Sequence, residues 1–199
     1  MTRPGRGVTA KFYSDGEWTH QQKVEFDAYR LALGLIHYHN ALPQQNRLVC
    51  AEWQQGTAAH SKVCQRPVIF VHDLGSTFGK KRSGFDLLGT NPRGSFSDWE
   101  PQTVFLNPAN CELRATLLGD KQVLKEAQDL MVQRLGRLDQ QTVKSIFRTA
   151  RFHMMDQKQV RRLRASGVQD VDNAALDEWT NVFLKRIEEI RSAKNCKAN

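Results

Sequence analysis

Apolar positions recur at helical spacing in several stretches and crowd into two β-type runs in the first half of the chain. Val24, Ala28, Leu31 and Leu35 share one helical face and predict a helix over 21–41, stopped by Pro43. Leu48-Val-Cys-Ala-Glu-Trp53 reads as a short strand, and a polar loop follows at 54–66. Pro67-Val-Ile-Phe-Val-His72 is a dense apolar run rich in β-branched residues that ends at Asp73-Leu74-Gly75. Two strands joined by a polar loop predict a hairpin. Residues 75–101 hold five glycines and two prolines and predict irregular backbone. Short strands are expected at 103–106 and 112–117.

The remainder reads as helical. A helix at about 121–137 carries Leu124, Ala127, Met131 and Leu135 on one face. A second begins after Asp139, a good N-cap, and is expected to bury Val143, Ile146, Phe147 and Ala150. The last, at about 173–194, has the cleanest stripe: Leu176, Trp179, Phe183, Ile187 and Ile190, with Asp172 or Asn173 as its cap. The predicted class is mainly α with a small β-hairpin (α+β). The predicted organisation is a flexible segment over 1–17, one domain over 18–195 and a tail at 196–199.

Composition narrows the field. The chain has 199 residues, 40% hydrophobic and 25% charged, enough apolar surface for a core. Mean hydropathy is −0.57, and no run approaches the roughly 18 apolar residues of a membrane span. Four cysteines are too few for a disulfide-dense miniprotein. The first ten residues lack an apolar signal core, so the expected location is cytoplasmic as given, or periplasmic or secreted for a truncated form. Net charge is +8, with basic residues clustered at Lys80-Lys81-Arg82 and at Lys158, Arg161, Arg162 and Arg164. That balance attracts phosphates of nucleic acid, nucleotide or anionic lipid. The clusters lack interleaved aromatics, which argues against a single-strand binding platform.

Several constellations fail as sites. His37 and His39, two positions apart on a helix, point to different faces and do not chelate one metal. Gly75-Ser-Thr-Phe-Gly79-Lys80-Lys81 has three residues between its glycines where a P-loop has four, and Lys81 stands where the hydroxyl belongs. Its glycines and Lys80 remain able to contact an anion. Cys50 and Cys64 flank the predicted hairpin, either as free thiols or as a disulfide in an oxidising compartment. Cys50, Cys64 and Cys111 with a histidine match no standard zinc spacing.

Asp73 is the most informative residue. An acid directly after a buried β-run projects from rigid scaffold, and Gly75 lets the backbone turn sharply behind it. By itself this also describes a turn aspartate bonded to its own backbone. The surrounding order is a helix, a polar loop, a hairpin and then Asp-Leu-Gly. This is the order of the catalytic half of a kinase, where the catalytic loop follows a helix and the next strand pair ends in a metal-binding D-F-G.

The sequence resembles a bacterial family of uncharacterised proteins with a kinase-like C-terminal lobe. The resemblance rests on Leu35-Ile36, Pro43, Gln45-Asn46-Arg47-Leu48-Val49-Cys50, and His72-Asp73-Leu74-Gly75-Ser76-Thr77-Phe78-Gly79. It extends to Asn107-Pro108-Ala109-Asn110-Cys111 and the terminal Trp179, Phe183, Ile187 helix, and spans roughly residues 18–192. It implies that Asp73 holds Mg²⁺ at ATP phosphates, that Gln45 occupies the second metal-ligand position, and that Lys80 lies near the nucleotide. Asn40 falls where the family has its catalytic aspartate, and Leu42 where it has lysine. An amide cannot take a proton as a carboxylate does, and leucine cannot neutralise a phosphate. A kinase also carries a β-rich N-lobe ahead of its catalytic loop, and only 39 residues precede Asn40. The expected function is therefore a degenerate kinase-like domain with residual Mg²⁺ or nucleotide binding, its N-lobe missing or supplied by a partner chain. The alternative is a non-catalytic interaction protein that binds a protein or an anionic partner through its basic surface.

Overall fold

The structure is a computed structural model. It describes residues 6–7, 19–36, 46–55, 62–71, 78, 96, 106–107, 109–113 and 122–198. The described part is mainly helical with small antiparallel sheets. It divides into two compact units: residues 1–17, 40–74 and 117–119 form one, and 18–39, 75–116 and 120–199 the other.

The first unit is a three-stranded antiparallel sheet of order β1-β2-β3, with β1 at Arg6–Gly7, β2 at Asn46–Gln55 and β3 at Lys62–Val71. The hairpin is longer than its apolar runs suggested, because β3 begins at Lys62 within the expected loop. Register runs from Asn46 opposite Val71 to Gln55 opposite Lys62, with irregularities between Cys50 and Trp53. Such a break lets two strands of mixed polarity stay paired while their twist changes. Arg6 and Gly7, in the segment expected to be flexible, pair with Leu48 and Arg47.

The second unit holds five α-helices among the described residues. Helix α1, His20–Leu35, starts at a reciprocal capping box: Thr19 Oγ1 accepts from Gln22 N, and Gln22 Oε1 accepts from Thr19 N. Its predicted stripe is buried as expected, with Val24, Ala28, Leu31 and Leu35 all in the core. The helix closes at Leu35, short of 41. The hairpin β4–β5 pairs Leu106–Asn107 with Glu112–Leu113 where two strands were expected, and the rest of those predicted strands lies outside the described residues.

Helix α2, Lys125–Leu135, follows Leu124, which is the cap residue rather than a helical position. Helix α3, Gln140–Thr149, is capped by Asp139 as predicted. It buries Val143 and Phe147 alone; Ile146 is 52% exposed, and Ala150 is exposed beyond the last turn. The covered face of this ten-residue helix is a single i, i+4 line, so positions one step off it remain in solvent. After a 3₁₀ turn at Phe152–Met154 come α4, Gln157–Ala165, and α5, Val171–Ser192. Asp170 caps α5, accepting from Asn173 N at 3.0 Å, so Asp172 and Asn173 lie within the first turn. The stripe on α5 is confirmed: Leu176, Trp179, Ile187 and Ile190 are buried and Phe183 is half-buried.

Two side-chain clusters form the core of this unit. One gathers α1, β4–β5, α2 and the end of α5 around Leu31, Leu106, Cys111, Ala127 and Ile190. The other is aromatic, with Phe96, Phe147, Phe152 and Trp179 packed mostly edge to face and Phe147 stacked on Phe152 at 4.3 Å.

Buried polar groups lock the first cluster. Asp27 and Arg30 are 1% and 0% exposed and pair at 2.8 Å. The other oxygen of Asp27 accepts from Leu124 N at 2.9 Å and so holds the start of α2 from α1. Gln128 donates to the Ile190 and Ala193 carbonyls at 2.7 and 2.8 Å, closing the end of α5.

Candidate functional site

Asn40, Leu42, Gln45, Asp73 and Lys80 lie outside the described residues, as do His37 and His39. The structure does describe the backbone that flanks them. In the first unit, the hairpin ladder ends at Asn46 opposite Val71. Asn46 follows Gln45 directly, and Val71 precedes Asp73 by two residues.

In the second unit, the end of α1 is held twice. Phe78 N donates to Ile36 O at 2.8 Å, and Arg186 NH1 donates to Leu35 O at 3.2 Å. Phe78 is the described residue of the His72–Gly79 motif. Its φ of 55° is unusual for a residue with a side chain. Its ring fixes it there, packing edge to face on Phe152 at 4.9 Å and on Phe147 and Trp179 slightly farther off. Ile36 and Phe78 are thereby held together by a hydrogen bond, with the Phe78 ring in the aromatic cluster.

Arg186 is fully buried. Burial pushes its guanidinium down to about 10, opposed by the carboxylate of Glu189 one turn on. The Glu189 carboxyl is raised by its own burial, with Arg186 and Lys185 pulling the other way.

The basic cluster is on α4. Gln159, Val160 and Leu163 face inward, which leaves Lys158, Arg161, Arg162 and Arg164 exposed. Arg162 pairs with Glu178, which also accepts from Gln159. A surface depression of about 450 Å³ beside Arg164 is lined also by Gln169, Asp170, Val171 and Asp172, and Asp170 is committed to its cap.

The cysteines differ from expectation. Cys111 is bonded to Cys196 at a sequence separation of 85, their Cα atoms 4.8 Å apart. This removes Cys111 from the zinc set, and no group of three or more metal-ligating side chains occurs among the described residues. It also converts the expected tail into a built element: Lys197 N donates to Val123 O, and Lys125 N donates to Lys197 O. Gln128, whose amide nitrogen closes α5, also packs against the disulfide, its Oε1 3.2 Å from Cys196 Sγ. In the hairpin, Cys50 is opposite Pro67 and Cys64 opposite Trp53, so the two are not register partners. The missed residue was Cys196. Four cysteines allow three pairings, and only the fold brings Cys111 and Cys196 together. No helix among the described residues is long and apolar enough to cross a membrane. Comparisons of the chain with models of known protein families, with curated proteins and with solved structures find no match.

Proposed function

We propose that this chain is a kinase-like C-lobe with a degraded catalytic loop, retaining a weak site for a divalent cation and a polyphosphate around Asp73. The observation that carries this reading is the hairpin register. With Asn46 opposite Val71, the segments bearing Gln45 and Asp73 leave the same end of one ladder. A kinase uses the corresponding strand pair to aim its two metal ligands at one point. The donor set fits Mg²⁺, a hard cation that takes carboxylate and carbonyl oxygens: Asp73 offers the first and Gln45 the second. Bound there, the ion would neutralise phosphate charge. Lys80, a point charge in a glycine-bearing segment, would add to phosphate attraction.

The remaining positions argue for binding without transfer. Asn40 has no basic oxygen with which to accept an acceptor's proton, and Leu42 contributes no charge to a developing phosphoryl transition state. The Cys111–Cys196 disulfide supports an oxidising compartment as the working environment, in place of the cytoplasm.

The test is a thermal-shift titration with ATP, with and without Mg²⁺, on the wild type and on Asp73→Asn. A ligand selective for the folded state stabilises by about 2.7 kcal/mol at one hundred times Kd. The reading predicts a Mg²⁺-dependent rise that Asp73→Asn abolishes, with no ATP turnover. No shift at millimolar ATP, or an equal shift in the variant, contradicts it.

A further inference from the structure

We propose that the α3–α4 surface is a docking face for an anionic lipid bilayer. This inference is independent of the hairpin site. It begins with charge. Between 148 and 164, Arg148, Arg151, Lys158, Arg161, Arg162 and Arg164 are all exposed. The one acid in that stretch, Asp156, is buried and occupied in capping α4 through Lys158 N and Gln159 N. Lys158, Arg161 and Arg164 follow one another at i, i+3 spacing, so the outer face of α4 is a row of like charges. Such a row gains nothing from its own neighbours. Among the described residues, Arg162 alone of the four α4 cations has a carboxylate partner, Glu178. Arg151 adds a cost: its φ of 58° is left-handed, a conformation that favours Gly or Asn. A surface needed only for solubility requires neither feature.

The apolar side chains select the partner. The large hydrophobic residues exposed among the described ones are Ile146 and Met154, 52% and 53% exposed. Met154 falls within the same stretch as the cations, and Ile146 lies two positions before it. Both are aliphatic. A nucleic-acid strand is gripped by aromatic faces on which bases stack, and this surface presents none. Aliphatic tips beside a field of Arg and Lys match the boundary between anionic headgroups and acyl chains, where cations meet phosphate and the apolar tips leave water.

Lipid vesicles provide the test. The full chain is sedimented with sucrose-loaded vesicles of phosphatidylcholine alone or with one third phosphatidylglycerol, in 0.1 M and 1 M salt. Binding is expected to the anionic vesicles only and to be lost at the higher salt, where the Debye length falls from about 10 Å to about 3 Å. Arg161→Gln with Arg164→Gln is expected to weaken binding about thirtyfold while leaving Tm unchanged, because each cation near the surface contributes about 1 kcal/mol. Met154→Gln, which keeps every charge, is expected to weaken it several-fold. The proposal is overturned if neither vesicle binds, if the double variant binds as the wild type does, or if Met154→Gln has no effect while a single-stranded oligonucleotide displaces the protein from vesicles. The last result would make the face a nucleic-acid surface.

Discussion

Replacing Cys111 and Cys196 together by alanine tests how the C-terminal segment is held. The disulfide spans 85 positions. In the chain-entropy treatment, closing a loop of that size removes about 15 cal/mol/K from the unfolded ensemble, or about 4.5 kcal/mol at 25 °C. Cys111 is fully buried, and Gln128 packs against Cys196 while its amide nitrogen holds the end of α5. The double variant is expected to lose 3 to 5 kcal/mol in urea unfolding, a midpoint shift of about 2 M for an m of about 2 kcal/mol/M. A local readout separates loss of the staple from general loosening. The Lys197 amide, which donates to Val123 O, should exchange faster in the variant than amides in the middle of α5. A loss below about 1 kcal/mol, or unchanged exchange at Lys197, would refute the reasoning.

Other substitutions probe the same unit. Asp27→Ala leaves the buried Arg30 without its carboxylate and Leu124 N without its acceptor, and should cost about 3 to 5 kcal/mol by chemical denaturation. Trp179→Ala, at the centre of the aromatic cluster and fully buried, should cost about 3 to 5 kcal/mol and release Phe78, seen as faster exchange of the Phe78 amide bonded to Ile36 O. Asp139→Ala removes the α3 cap. Hydrogen bonding from Thr142 lowers the folded-state pKa of Asp139 below 3.8, so its stabilisation is present above that value and is lost as pH falls through the folded one. Thermal melts should therefore separate the variant from the wild type at pH 7 and converge as pH falls through the lowered pKa of Asp139.

The helices were largely legible because their signal is local. The stripes on α1 and α5 are long, and every apolar residue they name is buried or half-buried. Asp139 was legible as a cap for the same reason. Ile146 was not: on a short helix with a one-line contact face, apolar character does not say which neighbour is present, and tertiary packing left it in solvent. The start of α5 was misread by two residues because Asp170, Asp172 and Asn173 are all capable caps, and the choice depends on where the preceding chain arrives from α4. The least legible features are the long-range ones. Asp27 and Arg30 were not singled out, yet both are buried: they pair with each other, and Asp27 also accepts from a backbone amide 97 positions away. Cys196 read as part of a tail, and its bond to Cys111 depends on the meeting of β5, α2 and the last residues. Of the kinase-like constellation, the strand pair behind Gln45 and Asp73 is described, and those two residues are not.

The central claim is that a divalent cation binds where the hairpin ladder ends, beside Asp73. Mn²⁺ in place of Mg²⁺ tests it directly through paramagnetic broadening of backbone amide signals. Each strand has ten residues, so the paired end at Asn46 and Val71 lies about 30 Å from the end at Gln55 and Lys62. Because broadening falls with the sixth power of distance, the account predicts that substoichiometric Mn²⁺ with ATP erases the Asn46 and Val71 amides and spares Gln55 and Lys62, whereas all four amides stay sharp in Asp73→Asn. Broadening spread evenly along the hairpin, or unchanged in Asp73→Asn, would contradict the account.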